Sequence, residues 1–127
     1  MRLRFLTLRV AQAARSRRFY EALGLRPASG DSASLPMLDA GGVRLVLATD
    51  SALSSHAPVL AGPGGAVLIS LNTDSPASVD AAWQATADSD GEQVKAPHTP
   101  AWGGRATWLR DPDGHPVEVV WNPGLPD

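Results

Sequence analysis

Apolar and polar residues alternate over residues 2–10, with Leu6, Leu8 and Val10 on one side and Phe5, Thr7 and Arg9 on the other. A period of two predicts a strand with one consistently apolar face. From Ala13 the period lengthens. Phe19, Tyr20 and Leu23 recur at helical spacing, and Gly24 follows as a residue suited to closing a helix. Arg15, Arg17 and Arg18 fall on the opposite side and read as a solvated helix face. Residues 25–29 read as a short strand, Gly30-Asp31 as a turn, and 34–39 with 43–48 as a hairpin across Ala40-Gly41-Gly42. Residues 49–65 carry Asp50, His56, Pro58 and Pro63 among serines and glycines, and read as loop.

The pattern then starts again. Residues 66–72 read as a strand, with Val67, Ile69 and Leu71 on one face and Leu68, Ser70 and Asn72 on the other. Ser75 is an N-cap residue and Pro76 fits the first helical position, so a helix is expected through Val79, Ala82, Trp83 and Ala87, fading at 88–91. Residues 92–95 read as a short strand, 97–104 as a loop, and 105–110 as a strand. Gly24 and Gly91 occupy matching places after the two helices. The unit is βαβββ, repeated at about 60 residues. With helices on one face of each sheet, two curved half-barrels would enclose a pocket between their bare faces.

The last hairpin carries the chemistry. In Asp111-Pro112-Asp113-Gly114, Asp can bond its own backbone, Pro sets φ at the second position and Gly takes the last. Beyond the turn, Val117, Val119 and Trp121 share one strand face, and Glu118 and Val120 share the other. A carboxylate inside a β-branched run either looks into a cavity or lies in water on an edge strand.

Composition narrows the classes. The chain has 127 residues, 43% of them hydrophobic and 19% charged, which suits one globular domain with a substantial core. A net charge of −2 and the lack of a basic stripe with interleaved aromatics give no case for nucleic acid. There is no cysteine, which excludes disulfides, thiolate metal sites and cysteine nucleophiles. No apolar run approaches membrane-spanning length, and residues 1–5 lack the core of a signal peptide. A cytoplasmic protein is expected.

The segment Arg18-Phe19-Tyr20-Glu21-Ala22-Leu23-Gly24-Leu25, followed by Asp111-Pro112-Asp113-Gly114-His115 and Glu118, resembles the glyoxalase/bleomycin-resistance/extradiol-dioxygenase (vicinal oxygen chelate) superfamily over essentially the whole chain. The resemblance implies an α+β fold of two tandem βαβββ modules forming an open, cupped barrel. Module one is about 1–49, the linker 50–64 and module two about 65–123. Metal-bearing members place four ligands on the first and last strands of each module, where a divalent cation polarises substrate oxygens or holds O₂. Glu118 matches one of these. Phe5 stands where His, Gln or Glu is implied, Ala66 where His is implied, and Val46 (or Leu45, one residue over) where Glu or His is implied. A catalytic metal needs about three protein ligands. The resemblance therefore implies the fold without the usual chemistry, and its metal-free members, which sequester hydrophobic antibiotics, are the nearer precedent.

The expected function is metal-independent binding of a small hydrophobic or aromatic molecule, drug or metabolite, in the barrel cavity of a homodimer. Phe5, Trp102, Trp108 and Val120 would form the apolar wall, and Thr7, Arg9, Ser70 and Glu118 would orient the ligand. The bland alternatives are Glu118 as a remnant paired to Arg9 or Arg110, Trp102 as a loop anchor, and Trp108 as packing. Catalytic candidates are Glu118 and, behind it, His98 as a general base or replacement ligand; His98 otherwise reads as an exposed loop histidine. No cofactor is expected. The alternative is a lyase or dioxygenase of the glyoxalase type with a divalent metal in a site rebuilt around Glu118 and His98.

Overall fold

A computed structural model describes residues 3–56, 67–101 and 103–124, with side chains of 54–56 excluded. It divides the chain into two compact units, Met1–Ala66 and Val67–Asp127. The first contains β1 (Phe5–Arg9), α1 (Ala13–Ala22), β2 (Arg26–Pro27), β3 (Met37–Asp39), β4 (Arg44–Ala48) and α2 (Asp50–His56). The second contains β5 (Ile69–Asn72), α3 (Pro76–Ala85), β6 (Glu92–His98), β7 (Arg105–Arg110) and β8 (Pro116–Trp121). Both read βαβββ, and the fold is α+β with two four-stranded mixed sheets, β1-β4-β3-β2 and β5-β8-β7-β6. In each, the first strand runs parallel to the last and the remaining neighbours are antiparallel.

In the first unit the alternation of β1 holds: Leu8 is buried, while Phe5, Thr7 and Arg9 are exposed. Helix α1 lies against β4. It buries Phe19 and Tyr20 completely, their rings meeting edge to face at 5.1 Å. Gly24 follows the helix with φ of 99°, a left-handed value that an L side chain adopts only with strain.

Arg17 departs from the solvated face expected for it. It is half-buried, and its guanidinium donates to Asp31 Oδ1 (2.5 Å) and to the Ser32 carbonyl (3.1 Å). The Met37 amide donates to the same Asp31 oxygen at 2.9 Å, which anchors the loop between β2 and β3. The hydrogen bond from Arg17 is the main cause that holds the Asp31 carboxyl below the usual carboxylate range, against partial desolvation. A depressed folded pKa stabilises the fold above the unfolded value of about 3.9, and that contribution is lost as pH falls through the folded value. Asp31→Asn should therefore unfold at lower urea than the parent near neutral pH, and the gap should shrink below about pH 4. An equal gap at both pH values would reject this role for the ion pair.

Residues 50–56, expected as loop, form α2. Thr49 starts it: its hydroxyl accepts from the Ala52 amide (3.4 Å) and its carbonyl from the Leu53 amide (2.9 Å), with Asp50 in the first turn. Leu53 is buried, so this turn belongs to the core and not to a free linker. The remainder of the expected loop, 57–65, lies outside the described residues.

In the second unit Ser75 caps α3 as expected, its hydroxyl accepting from the Ser78 amide at 3.2 Å. The helix ends at Ala85, short of Ala87. Thr86 ends it: its hydroxyl donates to the Ala82 carbonyl (2.8 Å) and the Thr86 side chain is buried there. The left-handed residue after this helix is Asp90 (φ 63°), not Gly91. Helix α3 packs on β6, β7 and β8, over a face made by Thr107, Leu109, Val117 and Val119.

Candidate functional site

Because Val117 and Val119 are buried on the α3 side, Glu118 and Val120 stand on the opposite face of the second sheet. Register places four side chains abreast on that face. Ser70 of β5 pairs with Glu118 of β8, Glu118 with Trp108 of β7, and Trp108 with Lys95 of β6. Neighbouring strands lie about 4.8 Å apart, so each side chain reaches the next.

The row is joined by polar contacts. Glu118 Oε1 accepts from the Ser70 hydroxyl at 3.1 Å, and Oε2 accepts from the Trp108 indole N–H at 3.2 Å. Both donors are neutral. A carboxylate has about four lone-pair sites, so Glu118 keeps acceptor capacity beyond these two bonds. The Trp108 side chain, 43% exposed, carries the Lys95 ammonium 5.0 Å from its ring centroid. The His98 imidazole meets the same ring edge-on at 5.5 Å. His98 Nδ1 donates to the Ala96 carbonyl (2.9 Å), which leaves Nε2 as the acceptor of the neutral ring.

Beside this row lies an open hollow of about 250 Å³, lined by Leu68, Val94, Trp108, Arg110, Pro116 and Glu118 among others. A space of that size suits a molecule built on a single ring. Val94 reaches it through a bulge. Gln93 pairs with Leu109 and Lys95 with Trp108, so Val94 is an extra residue that breaks strict alternation. A second irregularity between Lys95 and His98 carries β6 through Pro97 and His98, residues expected in a loop.

Phe5, Thr7 and Arg9 lie on the exposed face of β1 in the first unit. Arg9 is committed to Asp50, donating through Nε at 2.6 Å and Nη2 at 2.9 Å. Arg110 approaches Glu92 at 3.7 Å and the Gly114 carbonyl at 3.4 Å. Arg110 is thus engaged by Glu92 and Gly114, while the Glu118 carboxylate accepts from Ser70 and Trp108. Val120 shares Glu118's face one row along, opposite Asn72 and Ala106. Trp102 and Ala66 lie outside the described residues.

A family model for the glyoxalase/bleomycin resistance protein/dioxygenase superfamily matches residues 2–119. The chain belongs to that superfamily. No curated protein matches this superfamily member. Its fold is similar to that of a glyoxalase-related enzyme from Fulvimarina pelagi, with a TM-score of 0.82, 22% identity, and coverage of 97% of this chain and 89% of that one. It is also similar to a glyoxalase/bleomycin resistance protein/dioxygenase family enzyme from Burkholderia phytofirmans (TM-score 0.81, 17% identity, 95% and 98% covered). A lactoylglutathione lyase from Agrobacterium tumefaciens matches at a TM-score of 0.70 (21% identity, 95% and 93% covered). At these identities the likeness carries the fold and not the reaction.

The superfamily's divalent metal can be tested against the donors this member presents. Glu118 is flanked laterally by the hydroxyl of Ser70 and the indole of Trp108. The corresponding row of the first sheet is Thr7, Val46 and Met37, and Phe5 one row away faces the Arg44 guanidinium at 5.5 Å. Among the described residues no three His, Asp or Glu side chains come together as a metal site. This donor set does not fit the superfamily's metal centre.

Sequence reasoning named Ser70, Trp108, Glu118 and His98, and the structure brings these four together. It passed over Lys95 and Val94. Only Pro97, a residue confined to edges and bulges of sheets, signalled that β6 would break its alternation.

Proposed function

We propose that this superfamily member binds a small, partly aromatic molecule without a metal, seated in the hollow beside Trp108 and oriented by Glu118. The observation that carries this reading is the Glu118 carboxylate, held by two neutral donors at the edge of an apolar hollow. Trp108 supplies a flat, partly exposed face for stacking. Glu118 supplies acceptor sites for a donor on the ligand. Drug or metabolite sequestration follows from such binding alone.

The test is a thermal-shift screen of aromatic antibiotics and metabolites against chelator-treated protein. Hits should need no added metal, and Trp108→Ala should weaken them roughly tenfold or more. The same protein is then loaded in turn with Zn, Ni, Mn and Fe(II), desalted and measured for metal content. Near-stoichiometric retention that is lost in Glu118→Ala would overturn the proposal and point to a lyase or dioxygenase of the glyoxalase type.

A further inference from the structure

The charges around Trp108 specify more than an aromatic ligand. Arg110, which lines the hollow, approaches Glu92 at 3.7 Å. Glu118 and Lys95 do not balance in this way. Glu118 accepts only from Ser70 and Trp108, and no cation lies within ion-pair distance of it among the described residues. Lys95 makes its contact with the indole ring and has no carboxylate partner among those residues. The two uncompensated charges, one negative and one positive, therefore flank a single aromatic ring and lie two strands apart in one cross-strand row.

From this juxtaposition, and resting on the binding reading above, we propose that the ligand is dipolar. It carries a protonated amine for Glu118, a carboxylate for Lys95, and an apolar or aromatic body between them that lies on Trp108. Glu118 takes the indole N–H of Trp108 at 3.2 Å and the Lys95 ammonium lies 5.0 Å from the centroid of the same ring, so the two charges are set apart by about the width of that ring, and the ligand's charges sit on either side of its body and not on one carbon. An amine on Glu118 would take the acceptor sites left free by Ser70 and Trp108, so neither existing bond need break. A carboxylate on Lys95 would gain from a flexible ammonium that no anion among the described residues holds.

A matched set of probes tests the proposal: para-aminomethylbenzoate, benzylamine, benzoate and benzyl alcohol, titrated calorimetrically into the full chain. The expected order places para-aminomethylbenzoate tightest. Glu118→Gln should weaken para-aminomethylbenzoate and benzylamine about tenfold and leave benzoate unchanged. Lys95→Gln should weaken para-aminomethylbenzoate and benzoate and leave benzylamine unchanged. Because Lys95 is exposed, that variant is expected to fold even if Glu118→Gln does not. Equal affinity for the four probes, or variants that weaken all probes alike, would overturn the dipolar ligand. If the charged probes fail but neutral aromatics bind in a manner that Trp108→Ala abolishes, the dipolar inference falls and the binding function stands. If no aromatic compound of either kind binds, both fall.

Discussion

Phe19→Ala is expected to destabilise the protein by about 3–5 kcal/mol, a large part of the stability of a domain this size. Phe19 is completely buried on α1, its ring packed edge to face on that of Tyr20, and α1 rests on β4. Alanine would remove an aromatic side chain from a place where helix and sheet are held on both sides, so the cavity could close only in part. The melting temperature should fall by roughly 10 °C or more. The control is Phe5→Ala. Phe5 is 51% exposed, with the Arg44 guanidinium 5.5 Å from its ring centroid, so its loss should cost less than about 1 kcal/mol. Similar losses for the two variants in urea unfolding would contradict the core assigned to the first unit.

The second large effect is expected at the turn between β7 and β8. Asp111 is 2% exposed. Its Oδ1 accepts from the amides of Asp113 and His115, both at 2.9 Å, while its backbone carbonyl accepts from Gly114 at 2.9 Å. Asp111→Ala leaves two amide donors without their acceptor, at about 1–3 kcal/mol each. Asp111→Asn keeps an acceptor oxygen and should recover most of the loss. The consequence reaches the site, because the register of this hairpin sets Trp108 beside Glu118. Ligand affinity in Asp111→Ala should drop together with stability. An alanine variant as stable as the parent would show that the strands, and not the turn, fix the register.

The fold was legible because its signals are local. Alternation in β1 and β8, the helical spacing of Phe19 and Tyr20, the cap at Ser75 and the turn at Asp111 each belong to a few consecutive residues, and each formed as expected. The faces of Ser70 and Glu118 followed from parity alone. What could not be read was long-range or depended on competition between weak preferences. Arg17 looks like a surface residue until the loop that brings Asp31 to it is in place. Residues 50–56 are rich in serine and read as loop, yet Thr49 and Leu53 supply a cap and an anchor that tip them into a helix. Lys95 faces Trp108 only because β6 bulges, and a bulge leaves no periodic trace in Gln93-Val94-Lys95.

That bulged strand has a consequence for the protein's solubility. β6 is the outermost strand of its sheet, and a straight outer strand offers a row of unpaired amides and carbonyls to any other extended chain. Two breaks in register, a proline that lacks an amide donor and an outward lysine spoil that template along most of its length. The face beside it, where Val94 and Trp108 stand exposed, can therefore stay apolar enough to take a ligand without inviting another copy to stack onto the sheet edge. Straightening β6, by deleting Val94 and replacing Pro97, would turn the same surface into a seed for aggregation.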